Sequence, residues 1–227
     1  MTTETQEAQP ATTFPVVIFG DFVCPYSYLA VEQVQRLAQE YDVQPLWRPH
    51  WLHPETPPEG QPYATGANPE RRQATIQWIK EMAPETAERM RFPDRRQFSF
   101  FAFEALEYAQ DCGLALPFAA AVYDALWVRG EDIGRVATLQ GAADRVGLDA
   151  EELARALLDP DYMNRTLEAV ETARRIGITS TPTFIIGRTR MNGWSYYEVL
   201  QSIIEKQGKL PCAPSTPSDG ITAPPSE

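Results

Sequence analysis

The stretch Phe14-Pro-Val-Val-Ile-Phe-Gly-Asp-Phe-Val-Cys24-Pro-Tyr-Ser-Tyr28 runs from β-branched and aromatic residues through a Gly-Asp break into a cysteine-proline step. Phe14 to Phe19 shows no polar alternation, the pattern of a strand buried on both faces of a sheet and therefore central in it. After the break, Leu29, Ala30, Val34, Leu37 and Ala38 recur at helical spacing and predict a helix ending near Glu40. Pro25 stands where a first-turn proline is tolerated. Val43 to Trp51 reads as a second extended segment, interrupted by Pro45 and Pro49, which leads into the proline-rich loop from His53 to Gly60. The order strand, helix, strand is that of an α/β core.

Working outward, residues 68–176 are helical in periodicity almost throughout, with breaks at Pro84, Pro93, Gly113, Gly130, Gly147 and Pro160. Helices are expected over Phe98 to Cys112, Leu116 to Val128, Ile133 to Val146, Ala150 to Leu158 and Tyr162 to Ile176. Strand character returns at Thr183-Phe-Ile-Ile-Gly187, Arg188-Thr-Arg-Met191 can pair with it across a glycine turn, and a helix from Ser195 to Gln207 closes the fold. The layout is a small α/β core, residues 14–67 and 177–208, split by an all-helical insertion, residues 68–176. Residues 1–13 and the proline-rich 209–227 read as disordered tails.

The 227 residues are 43% hydrophobic and 22% charged, ordinary for a globular chain. A net charge of −11 argues against nucleic acid or an anionic membrane as partner, because phosphate contacts need clustered Lys and Arg. Residues 1–13 lack both the basic and the apolar parts of a signal peptide, and no apolar run approaches the ~18 residues of a membrane span, so a cytoplasmic location is expected.

Three cysteines cannot form a disulfide scaffold, and each needs its own reading. Cys24 lies between a buried strand and a helix N-terminus, where free N–H groups and the helix dipole favour thiolate over thiol. This predicts a lowered pKa and a nucleophilic sulfur. Ser27, one turn on, can donate a hydrogen bond to that sulfur but cannot form a disulfide with it. Far downstream, Gly177-Ile-Thr-Ser-Thr181-Pro182 places a proline at the head of an apolar strand, where a cis proline facing the thiol fits. The backbone of Thr181 would then be free to pair with an extended peptide or with glutathione.

Cys112 falls on the apolar stripe of its helix and is expected to be packing material, while Cys212 is expected in the mobile tail as an exposed thiol that could in principle reach Cys24. His50 and His53, the two histidines, stand without neighbouring ligands and predict no metal site. Ser195 reads first as an N-cap, although Trp194 and Ser195 at a helix start could also hold a carboxylate such as that of glutathione. Arg71, Arg72, Arg95 and Arg96 read as a solvated face, useful only if they stand near such a site.

The Cys24-to-Ser27 motif and Thr181-Pro182, at the two ends of the helical insertion, resemble the DsbA-like branch of the thioredoxin superfamily. The segment Asp21-Phe-Val-Cys-Pro-Tyr-Ser-Tyr28, the Leu52-His-Pro-Glu-Thr-Pro-Pro-Glu-Gly60 loop, Gly130-Glu-Asp-Ile133 and Ala173 to Phe184 are similar to the FrnE-like oxidoreductases. The resemblance implies a thioredoxin-like core with a mixed central sheet, and thiol–disulfide exchange in which Cys24 attacks, Ser27 assists, and Pro25, Tyr26, Thr181 and a cis Pro182 shape the substrate groove. Redox members carry a second cysteine where this chain has Ser27, so a mixed disulfide on Cys24 would need an external thiol for release. The partner implied is a disulfide-containing or glutathionylated protein, or a small thiol, with no tightly bound cofactor and with glutathione as co-substrate. The same motif also resembles the Ser-Pro-Tyr-Ser segment of 2-hydroxychromene-2-carboxylate isomerases and kappa-class glutathione transferases, which implies as the alternative a glutathione-dependent isomerase or transferase acting on a small aromatic compound. A peptide-binding module without turnover is the third reading.

Overall fold

The computed structural model describes residues 13–63 and 69–212. Strand β1 (Phe14–Gly20) runs into helix α1 (Pro25–Glu40) and returns as β2 (Val43–Pro49), parallel to β1 with Ile18 opposite Trp47. The short β3 (Gln61–Pro62) and β4 (Arg95–Arg96) pair antiparallel beside the core. Strand β5 (Thr183–Ile186) lies antiparallel to β1 on its other side and turns back into β6 (Thr189–Asn192), giving the sheet order β2-β1-β5-β6. β1 is central, as its unbroken apolar run requires.

Its two faces serve two clusters. Val16 and Ile18 join Phe22, Val34, Leu37 and Trp47 in the main core, which continues without a gap into Phe103, Phe118, Val122 and Leu139 of the helical segment. Val17 and Phe19 face the other way, against Ala173, Ile178 and Ile185. Ala173 belongs to α8 (Pro160–Arg175), so the last helix of the expected insertion covers the second face of the sheet. Between α1 and α8 stand α2 (Pro69–Met82), α3 (Pro84–Arg89), α4 (Phe100–Asp111), α5 (Ala115–Asp124), α6 (Val136–Val146) and α7 (Ala150–Ala156); α9 (Tyr197–Lys206) closes the chain. Among the described residues no helix is long and apolar enough to cross a membrane.

Several boundaries differ from the periodicity. The residues 68–176 are not all helical, because β4 interrupts them to pair with β3. The helix expected to reach Val128 changes to a wider π turn over Ala125–Arg129, which Gly130 ends in the left-handed region at φ 70°. Ile133 is fully buried but precedes α6, since Asp132 Oδ1 accepts from Gly134 N at 3.1 Å and forms a turn there. Cys112 is not core: α4 ends at Asp111, and Cys112 is exposed in the C-terminal turn while Ala109 takes the buried place. Eight of the twelve positions of α4 are apolar or aromatic and they spread around the helix, so the spacing alone pointed to the wrong stripe. Ser195 does not cap α9, which starts at Tyr197 after Tyr196. Instead, its carbonyl accepts from Gln33 Nε2 at 2.8 Å.

The expected tails fall largely on residues 1–12 and 213–227, outside the described residues. Pro211 and Cys212, counted with the C-terminal tail, are placed: Pro211 bridges to Tyr41, and Cys212 N donates to Glu40 O at 2.7 Å.

Candidate active site

The β1–α1 break is held from inside. Asp21 is fully buried, and its Oδ1 accepts from Val23 N at 3.2 Å and its Oδ2 from Leu52 N at 2.8 Å. Its carbonyl accepts from the Tyr123 hydroxyl and from Cys24 N, each at 3.0 Å. The Trp127 indole, swung inward by the π turn, donates to Phe22 O at 2.9 Å. The helical segment therefore fastens the loop that presents Cys24. Burial pushes the Asp21 carboxyl up from the usual range, against the lowering effect of the Leu52 and Val23 N–H groups.

Cys24 is the N-cap residue of α1, in extended conformation with Pro25 as the first helical residue. It is only 6% exposed. Its Sγ lies 3.5 Å from the carbonyl oxygen of Thr181, and the Thr181–Pro182 peptide bond is cis. Strand β5 places this bond beside the thiol because Phe19 of β1 pairs with Thr183. Pro182 itself accepts from Gly193 N at 2.7 Å.

The expectation of a lowered Cys24 pKa is corrected. Burial pushes the thiol above its ordinary value, and the Asp21 carboxyl adds to this, while Thr181, the Ser27 hydroxyl and the Ser27 N–H act in the opposite direction without prevailing. At rest Cys24 is a protonated thiol donating to the Thr181 carbonyl. Ser27 is fully buried, and its Oγ completes no hydrogen bond in this state. It lies close enough to both Cys24 and Tyr123 to favour the ionised form of either.

Cys24 opens on a cavity of about 630 Å³ whose walls include Pro25, Tyr26, Tyr63, Phe92, Trp127 and Thr181. Tyr26 is fixed by a T-shaped contact with Trp78 at 5.1 Å. The arginines do not form one solvated face: Arg96 is 9% exposed, and Arg71, Arg72 and Arg96 all line the cavity. The antiparallel β3–β4 pair turns Arg96 inward and leaves Arg95 outside. Arg72 donates to Pro93 O at 2.7 Å, and its guanidinium lies 5.2 Å from the Tyr63 ring. His53 also lines the cavity, whereas His50 is buried with Nδ1 unpartnered.

Trp194 and Ser195 are not among the cavity residues; Trp194 packs on Trp78 in a T-shaped contact, with ring centroids 5.3 Å apart. Sequence reasoning missed Asp21, Tyr63, Trp127 and the inward turn of Arg96. A buried acid inside the motif was the one available signal, since a carboxylate between Gly20 and Phe22 must find donors or remain unstable.

The other cysteines stand apart from Cys24. Cys212 is pinned beside Glu40, the last residue of the 16-residue α1, while Cys24 caps the first. At 1.5 Å per residue the two ends are about 24 Å apart. The idea that Cys212 could reach Cys24 is therefore corrected for this conformation. Cys112 stands exposed at the far end of α4, nine residues beyond Phe103, the ring that packs on Phe22.

Among known proteins, the chain is 26% identical over 200 residues to the uncharacterized protein YwbO of Bacillus subtilis, covering 87% of this chain and 98% of that one. It is 27% identical over 180 residues to a 2-hydroxychromene-2-carboxylate isomerase of Sphingobium xenophagum, with 77% and 89% covered. The crystal structure of a probable DsbA oxidoreductase from Streptomyces coelicolor superposes with a TM-score of 0.72 at 25% identity, over 86% of this chain and 90% of that one. The family model described as the DSBA-like thioredoxin domain matches residues 15–205, and with the mixed sheet, the cysteine at the α1 N-terminus and the helical segment between β2 and β5, the chain belongs to that family.

Proposed function

We propose that the protein is a monothiol member of its family, exchanging disulfides through Cys24 alone. The observation that carries this is that Cys24 is buried in the wall of a cavity with its thiol aimed at the Thr181 carbonyl, whereas Cys112 and Cys212 are exposed. In the forward step the Cys24 sulfur attacks one sulfur of a disulfide, a new S–S bond forms, and the departing thiolate takes up the proton that Cys24 gives up. Ser27 and its N–H favour the negative charge on either sulfur as it develops, and the Thr181 carbonyl, freed of its thiol donor, orients the substrate backbone. An external thiol then attacks the mixed disulfide and restores Cys24. Glutathione is the co-substrate of choice, and a reducing compartment such as the cytoplasm would supply it.

The test uses a Cys112→Ser/Cys212→Ser background, so that Cys24 is the sole thiol. Incubation with glutathione disulfide should add one glutathione by intact mass, and dithiothreitol should remove it; absence of the adduct in a folded protein would rule out the exchange chemistry.

The aromatic walls of the cavity favour a second reading, a glutathione-dependent isomerase of a small aromatic compound, in keeping with the isomerase relative. It requires activity that survives Cys24→Ser in the presence of glutathione, which monothiol exchange forbids.

A further inference from the structure

One corner of the Cys24 cavity already holds a carboxylate belonging to the protein. Arg96 Nη1 donates to Glu55 Oε1 at 3.0 Å, and the same oxygen lies 3.0 Å from His53 Nδ1. All three residues line the cavity together with Cys24. The two ends of the Arg96–Glu55 pair are unlike. The Arg96 side chain is 11% exposed and the Glu55 side chain 60% exposed. A guanidinium so far removed from water needs an anion, and removal of its partner leaves an uncompensated charge. Glu55, mostly in solvent, can leave at little cost. Arg72, the neighbouring cation, already donates to the Phe92 and Pro93 carbonyls.

We infer that Arg96 and His53 form a carboxylate seat, that Glu55 fills it at rest as a tethered stand-in, and that an anionic substrate enters by displacing Glu55. This rests on the monothiol reading and names its substrate class: a low-molecular-mass disulfide bearing a carboxylate. Cys24 attacks one sulfur of that disulfide, the other sulfur leaves as a thiol carrying the Cys24 proton, and the carboxylate remains on Arg96. A tethered competitor acts at an effective concentration on the order of millimolar. Glu55 therefore sets the level that a free carboxylate must match, and neutral disulfides are unaffected by it.

The experiment measures second-order rates of Cys24, in the Cys112→Ser/Cys212→Ser background, with the dianionic aromatic disulfide dithiobis(nitrobenzoate) and the neutral dithiodipyridine. Both release a coloured thiol. The ratio of the dianion rate to the neutral rate should rise about five- to tenfold in Glu55→Gln, as the seat is vacated with Arg96 and His53 still in place. It should fall about tenfold or more in Arg96→Gln. Glu59→Gln, which removes the same charge from the same loop without touching Arg96, should move the ratio by less than about twofold. If Arg96→Gln does not fold, Glu55→Gln, a change at an exposed side chain, still decides. A ratio unchanged in Glu55→Gln, or raised equally in Glu59→Gln, overturns the seat while leaving monothiol exchange intact. A Cys24 that reacts with neither probe overturns the exchange reading on which the seat depends.

Discussion

Ser27→Cys tests how Cys24 is released. Ser27 is wholly buried in the first turn of α1, three residues beyond Cys24, and its hydroxyl has no hydrogen-bond partner. Replacing an unpartnered hydroxyl with a thiol strands no other group, so stability should change by less than about 1 kcal/mol. The Cα atoms of positions i and i+3 of a helix lie about 5 Å apart, within the Cα range that a disulfide bridges. On the monothiol reading proposed above, the mixed disulfide of the native chain waits for an external thiol, because Cys212 is held beside Glu40 at the other end of α1 and Cys112 at the end of α4. An introduced neighbour attacks intramolecularly, with an effective molarity far above the ~1 mM of an added thiol, so the release step should quicken roughly a hundredfold or more. Turnover should rise by at least about tenfold, because attack by the protonated Cys24 then becomes limiting. The assay is dithiothreitol-driven reduction of insulin, with intact-mass analysis of acid-quenched samples: the native protein accumulates a mixed disulfide, and the variant an internal one. A folded variant that forms the internal disulfide yet shows no gain in turnover would refute the view that release is the bottleneck set by Ser27.

Three further outcomes follow from the burial of single groups. Because the folded Cys24 holds its proton above the ordinary thiol value of about 8.5, alkylation at pH 7 should be slower at Cys24 than at Cys112 or Cys212 and should keep rising at alkaline pH. The unfolded thiol ionises first, so this group's contribution to stability is complete below about pH 8.5 and is lost as pH rises through the folded pKa; alkylation as fast as at the exposed thiols would contradict it. Glu104 in α4 is 5% exposed with Oε2 unpartnered, and burial pushes its carboxyl up to about 7. Its contribution is likewise complete below about pH 4.3 and lost as pH rises through about 7, so Glu104→Gln should stabilise the protein by about 1–2 kcal/mol at pH 8 and scarcely at pH 4, as read by urea denaturation. Trp127→Phe strands the buried Phe22 carbonyl that the indole serves at 2.9 Å, and should cost about 1–3 kcal/mol while also loosening Cys24 toward alkylation.

The order of residue types was enough for the core. Phe14 to Phe19 has no polar position, so it can only be central; the helical spacing after Cys24 and the apolar run after Pro182 then place a cysteine and a proline at the same end of one sheet. These are local signals, and local physics reads them. The fate of Cys112 was harder, because α4 is apolar on most of its surface and only its neighbours select which face is buried. The same holds for α8, whose amphipathic pattern shows that it has a partner but not that the partner is the far face of β1.

The chemistry of the site divides along the same line. That Cys24 lacks a second thiol in its motif, and that a serine stands there instead, is a matter of covalent sequence and needs no coordinates. Whether the thiol is ionised depends on how much water the fold leaves around it: the helix N-terminus argued for thiolate, and burial of the β1–α1 break favoured the neutral form against the opposing hydrogen bonds of Thr181 and Ser27, since desolvation acts on charge from every side at once. The inward turn of Arg96 depends on its pairing with Gln61, 35 residues away, and its closure on Glu55 on a loop folded back over the cavity. No pattern along the chain encodes such contacts, because they arise only when segments distant in sequence compete for the same space and the same counter-charge.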